Sequence, residues 1–238
     1  MHGPNPLNLM DLDNLAWQKQ ALRESLVFTA SIESEILVYH SGRYIPEEAF
    51  HLPEGKRELS REDREYLLRM EREALLELAE EARYLGVTIG LENARPYLDG
   101  SPYCYAEQLS LLVQQVAAIN HSHVGITLDV GHAYLASRFY RFNFLNAVAE
   151  AAPYVRHLHL HDNFGRVSAS LERKQAELMA TGRGDLHLPI GWGEIPAAAV
   201  FDRLGDYNGV VLHEIRPRYR AWAREALVRG RQLAGRGG

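Results

Sequence analysis

Thr127-Leu128-Asp129-Val130-Gly131-His132, preceded by Val124-Gly125-Ile126, decides how this chain is read. A short β-branched run ending in an acid, a glycine and a histidine describes a buried parallel strand whose C-terminal tip carries two metal-competent side chains into a cleft. Four more apolar runs, at 36–40, 87–92, 155–159 and 210–214, end in His40, Glu92, His159 and Glu214. The intervals between them suit helices, so the pattern is a strand-helix repeat with a polar group at each strand's end. Polar groups spread over every strand tip point to a parallel barrel, whose sites lie at that face. A doubly wound sheet would gather them at one crevice.

Outward from these strands, Asp13 or Asn14 caps a helix expected to run to about residue 29. Ser60 opens a long helix with Asp63 in the capping-box position, and Gly86 closes it. Leu67, Leu68, Ala74, Leu75, Leu78 and Ala82 supply that helix's apolar stripe. Further helices are expected at 105–119, 144–151, 197–204 and, rich in arginine and alanine, from 216 onward. No regular element is expected between His132 and the helix at 144. The segments 44–60, 97–105, 138–141 and 164–181 read as rim excursions, the last with helical periodicity at 171–179. In His157-Leu158-His159-Leu160-His161, alternation sends the three histidines to one side. His159 is the best placed for a metal, His161 and Asn163 stand at the mouth, and His157 is a deeper, hydrogen-bonded interior residue.

At 238 residues and 46% hydrophobic composition, residues 1–238 are expected to form a single α/β domain. A net charge of −5 gives no support to nucleic-acid or anionic-membrane binding. The lone Cys104 excludes an internal disulfide and fits a reducing compartment, where it reads as structural. With no apolar run of eighteen residues and no leader pattern, a cytoplasmic location is expected, with no membrane partner. No glycine-rich nucleotide loop follows a strand and no nucleophile elbow is present.

These residues resemble the xylose isomerase-like TIM-barrel superfamily of sugar isomerases, sugar epimerases and endonuclease IV relatives. The resemblance rests on Leu91-Glu92-Asn93, Leu128-Asp129-Val130-Gly131-His132, His159-Leu160-His161-Asp162-Asn163, the Gly-rich segment from Asp185 to Gly193 with His187, and the last strand at Glu214. It implies a (β/α)8 barrel in which Glu92, Asp129, His159 and Glu214 share one divalent metal. His2 and His40 match two early histidines of the endonuclease relatives. With Glu92 they would form a second metal site, and His132 with Asp185 and His187 a third. Counted back from Glu214, only about five of eight strands are visible, so the chain is expected to be N-terminally short by about three, through a misplaced start codon.

For function, the resemblance implies an isomerase or epimerase acting on a sugar or sugar phosphate. Mn²⁺, Co²⁺ or Mg²⁺ would hold two substrate oxygens while Glu92 and Glu214 move a proton through an enediolate. His132, Asp185, His187 and Arg216 would bind hydroxyls or a phosphate, with His161 and Asn163 also contacting substrate. The alternatives are a zinc-dependent AP endonuclease, a metal-dependent dehydratase, and an inactive truncated member. Against nucleic acid as a partner, Asn5 and Pro6 stand where DNA-binding relatives carry intercalating groups. A homodimer is left open.

Overall fold

The computed structural model describes residues 1–46, 49, 59–96, 103–168 and 180–235. The predicted rim segments at 47–48, 50–58, 97–102 and 169–179, including the helical periodicity at 171–179, lie outside the described residues.

Five parallel strands form one curled sheet, β1 (Ile36–His40), β2 (Thr88–Glu92), β3 (Val124–Asp129), β4 (Val155–Leu160) and β5 (Val211–His213), ordered as they occur in the chain. Helices α1 (Leu15–Ser31), α2 (Arg61–Leu85), α3 (Leu109–Ile119), α4 (Val130–Tyr140), α5 (Phe144–Ala151), α6 (Ala197–Leu204) and α7 (Ala223–Leu233) precede, link and follow them. This is the α/β half-barrel that the strand-helix repeat predicts.

Alternation divides each strand between two environments. Leu37, Tyr39, Ile89, Leu91, Ile126, Leu128, Leu158 and Leu160 form the buried row that meets the helices. Val38, Gly90, Thr127 and His157 occupy the other face, and His40, Glu92, Asp129 and His159 stand above them at the C-terminal tips. Gly90 has no substitute there, because a Cβ would lie 2.2 Å from Thr127 Oγ1. Between β3 and β4 the register slips: Ile126 pairs with Val155, but Thr127 pairs with His157. The extra residue, Arg156, is a bulge that sets His159 opposite Asp129. Without it, Asp129 would face Leu158 and the histidines would point into the helical layer.

Most helix boundaries follow from local signals. Ser60 Oγ accepts from Asp63 N at 3.0 Å, and Gly86, with φ of +69°, closes α2. Asn14 precedes α1 without capping it, because its amide donates to Asp11 instead. The predicted helix at 105–119 begins four residues later, after a single 3-10 turn at Tyr105–Glu107. The helix expected from 216 begins as a 3-10 segment, Pro217–Trp222, and becomes α-helical only at Ala223. The last strand is only three residues long. The main correction is α4, which occupies the stretch read as irregular after His132. Asp129 Oδ1 accepts from His132 N at 2.7 Å, so the acid that ends β3 also caps the next helix, with no loop between.

Met1 to Gly3 lie beside β1. Met1 O accepts from Val38 N at 2.9 Å, Gly3 N donates to Val38 O at 2.8 Å, and His2 pairs with Val38 as in a parallel ladder. At the opposite edge, Val210 just before β5 and Leu212 within it face solvent.

Cys104 is buried and caps the 3-10 turn by accepting from Ala106 N, which agrees with a structural role. The same turn holds a buried acid. Glu107 accepts from Tyr103 N at 2.8 Å, Cys104 N at 3.3 Å and the Tyr140 hydroxyl at 2.7 Å. Burial nevertheless pushes its carboxyl up to about 7, with those hydrogen bonds opposing the shift. Between the ordinary carboxylate range and pH 7 the folded state therefore holds a proton that the unfolded chain has lost. Stability is expected to fall as pH rises through that window, by about 3 kcal/mol in total. Glu107→Gln can accept from both amides and donate to Tyr140, so urea unfolding between pH 4.5 and 8 should show that slope flattened. An unchanged slope would contradict the assignment.

Candidate metal centre

The strand tips converge on a buried cluster of imidazoles and carboxylates. His159 Nδ1 lies 2.9 Å from Glu92 Oε1, 3.4 Å from Glu214 Oε1 and 4.0 Å from Asp129 Oδ2. Glu92 Oε2 lies 3.0 Å from His40 Nε2 and 3.5 Å from His2 Nε2. Asp185 Oδ2 lies 2.7 Å from His187 Nε2 and 3.4 Å from His132 Nε2, and its Oδ1 is 3.8 Å from His161 Nε2. Among the described residues three groups follow, each with its ligand atoms within 4.8 Å of one another: Glu92, Asp129, His159 and Glu214; His2, His40 and Glu92; His132, His161, Asp185 and His187. Glu92 belongs to two of them.

Burying this many carboxylates is costly unless cations meet them. Glu92, Asp129 and Asp185 are all within 3% of complete burial, so the cost applies in full. For Glu92 burial alone would raise the carboxyl. The hydrogen bond with His159, then those with His2 and His40, hold it well below the usual range. Asp129 is held low against its burial by His132 and His161. Burial works against a charged His132, yet Asp129 and Asp185 push it up to about 10. His161 Nδ1, His159 Nε2 and His132 Nε2 are buried and complete no hydrogen bond. An oxygen- and imidazole-rich set with buried, incompletely satisfied atoms fits a divalent cation of the Mn²⁺, Co²⁺ or Zn²⁺ kind.

The surrounding hydrogen bonds orient these groups. Asn93 donates to Asp129 O at 2.9 Å, accepts from Asp129 N at 2.8 Å, and its carbonyl lies 3.0 Å from His132 Nδ1. His187 adopts a φ of +45°, unusual for a residue with a Cβ, and so points its Nδ1 at Glu214 O, 2.7 Å away. Arg216 donates to Asp185 O at 2.8 Å, while its own amide donates to His187 O.

Two residues expected at the mouth are enclosed. His161 is fully buried, 3.0 Å from Asp129 Oδ1 and stacked on His187 at 4.0 Å, and it joins the third group. Asn163 is also fully buried. It donates to Gly131 O and accepts from Gly165 N, thereby tying the exit of β4 to α4. His157 lies deeper, as alternation requires, but its Nδ1 finds no hydrogen bond. Burial first, then the nearby charge of His159, push its pKa down to about 4. Sequence reading passed over the roles of Asn93 and Arg95. The only signal for either was adjacency to Glu92.

A parallel α/β half-barrel with an acid- and histidine-lined mouth is the class that fold and site define. Residues 1–232 match the family model described as xylose isomerase-like TIM barrel, and the chain belongs to that family. An uncharacterized protein of Methanocaldococcus jannaschii is 28% identical over 194 residues, 81% of this chain and 54% of that protein. The chain thus spans about half the length of the curated relative it matches. Among solved structures, a D-tagatose 3-epimerase-like protein superposes with a TM-score of 0.70 at 25% identity, over 98% of this chain and 77% of its own. The IOLI protein with a bound zinc atom gives 0.65 at 18% identity, over 95% and 69%.

Proposed function

We propose that this chain is a divalent-metal-dependent isomerase or epimerase acting on a sugar or sugar derivative. The observation that carries the reading is the pair Glu92 and Glu214, whose carboxylate oxygens stand 2.9 and 3.4 Å from the same nitrogen of His159, in one group with Asp129. The likeness to an epimerase-like structure supports the same class.

Glu92, Asp129, His159 and Glu214 would hold the cation, which supplies Lewis-acid polarisation of a substrate carbonyl when bound. The protein's own part is proton handling. One carboxylate takes a proton from a carbon next to the carbonyl, and the other returns a proton from the opposite face, which inverts that carbon. Glu214 is about a quarter exposed, whereas Glu92 is 2% exposed and held by three histidines. Asn93 keeps Asp129 and His132 in place.

A second reading has its own support. Three ligand groups, two of them sharing Glu92, also suit a three-zinc phosphodiesterase. One experiment separates the two. The protein is loaded with Mn²⁺, Co²⁺, Mg²⁺ or Zn²⁺, its metal content per folded chain is measured, and it is incubated in D₂O with a ketose panel and, separately, with abasic-site DNA. Deuterium entering the carbon beside the carbonyl is the expected result. DNA cleavage with about three zinc ions per chain, and no exchange, would replace the proposal by the second reading.

A further inference from the structure

We infer that Glu71, a buried carboxylate outside the three ligand groups, is a positioning residue of the centre: it fixes the two segments that carry His2 and His40, and through them the carboxylate of Glu92. The catalytic consequence rests on the role proposed above for Glu92; the positioning does not.

Glu71 belongs to α2 and is completely enclosed on the helical side of the sheet. Its Oε1 accepts from Gly42 N at 2.7 Å and from the Tyr39 hydroxyl at 3.2 Å, and its Oε2 accepts from the Gln115 amide at 3.1 Å. Among the described residues it forms no ion pair. A buried acid met only by neutral donors is costly to keep, and what it supplies is geometry: donors from β1, the segment after it and α3 are held in one arrangement. Gly42 permits the close approach, because a Cβ there would lie 2.6 Å from Glu71 Oε1 and 2.7 Å from Met10 Cγ.

These bonds bracket His40. Tyr39 precedes it and Gly42 follows shortly after, so the chain on either side of the imidazole is tied to one carboxylate. The Tyr39 hydroxyl also accepts from Leu9 N at 3.0 Å. Arg43, next to Gly42, donates from its amide to Asn8 Oδ1 at 2.9 Å, and Asn8 Nδ2 donates back to Arg43 O at 3.0 Å. The segment that begins with His2 is thereby locked to the exit of β1. Ser41, between His40 and Gly42, donates to Glu92 O at 2.8 Å. His40 and His2 then stand 3.0 and 3.5 Å from Glu92 Oε2, with their rings edge to face at 4.7 Å. Without the carboxylate, Gly42 and Tyr39 lose their common anchor, and a displacement of about 1 Å at a reacting group can cost on the order of a hundredfold in rate.

The test reads the imidazoles themselves by NMR of zinc-loaded protein carrying isotope-labelled histidine, with His2→Ala, His40→Ala and His187→Ala assigning the ring signals. Glu71→Leu removes every acceptor at similar volume. Glu71→Gln keeps an acceptor for Gly42 and Tyr39 and gives up the bond from Gln115. In Glu71→Leu the His2 and His40 signals should shift or broaden while His187 keeps its place, and deuterium exchange into a ketose should slow by roughly 10–100-fold. Glu71→Gln should recover both. Leu75→Ala, one turn further along α2 and also buried, should lower the urea midpoint without moving His2 or His40. Unmoved His2 and His40 signals in Glu71→Leu overturn the inference. So does a displacement as large in Glu71→Gln, or one as large in Leu75→Ala, which would make the effect a general loosening. If Glu71→Leu does not fold, Tyr39→Phe, which lacks the hydroxyl between Glu71 and Leu9, must displace the His2 signal, and an unmoved His2 then overturns the inference. Because the ring signals need no substrate, histidines displaced by Glu71→Leu in a protein whose wild type exchanges no sugar protons would sink the proposed reaction and leave the role of Glu71 standing.

Discussion

Glu92→Ala is expected to cost roughly 10²–10⁴-fold in turnover, the range of a proton-transfer group, and to strip cations from two of the three ligand groups at once. The effect is large because Glu92 Oε1 faces His159 at 2.9 Å while Oε2 faces His40 at 3.0 Å and His2 at 3.5 Å. Other candidate ligands are less central. His2→Ala should leave the group of Glu92, Asp129, His159 and Glu214 able to hold its metal. Elemental analysis of both variants, run beside deuterium exchange, checks the difference. If Glu92→Ala kept full metal content, the carboxylate would be positioning histidines rather than binding a cation.

The largest stability effect is expected at Asp162, which lies outside the ligand set. Its carboxylate is fully buried and accepts from Gly191 N at 2.7 Å, Asn163 N at 2.9 Å and Ile195 N at 3.2 Å. Asp162→Ala leaves the buried amides of Asn163 and Ile195, and the partly buried amide of Gly191, without that acceptor, at roughly 1–3 kcal/mol for each buried unsatisfied group. With some water entry, a loss of about 3–5 kcal/mol is expected in urea unfolding. Hydrogen exchange should rise first at Gly191 to Ile195. The backbone pairs between Asp162 and Leu188 transmit the damage to Asp185 and His187, so metal content should fall as well. A variant with wild-type stability would mean that water replaces the carboxylate at little cost. Gly193 belongs to the same arrangement, because a Cβ there would lie 2.4 Å from Asp162 Oδ1.

Much of this was legible without coordinates. The runs ending in His40, Glu92, Asp129, His159 and Glu214 are the five strands, and alternation correctly set the histidines of β4 on one side. Helix α4 was not legible, because a strand normally needs a loop before a helix and here one aspartate does both jobs. His161 and Asn163 were read as rim residues from their place after β4. In the structure the chain turns inward there, and both are enclosed. Arg95 carried no pattern of its own. Its meaning comes from Asp185, ninety residues away in sequence and 3.3 Å away in space.

What the sequence determined by itself was which residues end each strand and which face they take, since both follow from local alternation and from the cost of burying a polar tip without a partner. Which tips meet was decided only by the tertiary structure. The bulge at Arg156 puts His159 opposite Asp129, and the curl of the sheet brings Glu214 within 3.4 Å of the same ring. The fold also makes Glu92 the member common to two groups, and sets Arg95 and Arg216 against one aspartate. Distances between strand tips depend on register and curvature, and neither is a property of any single segment.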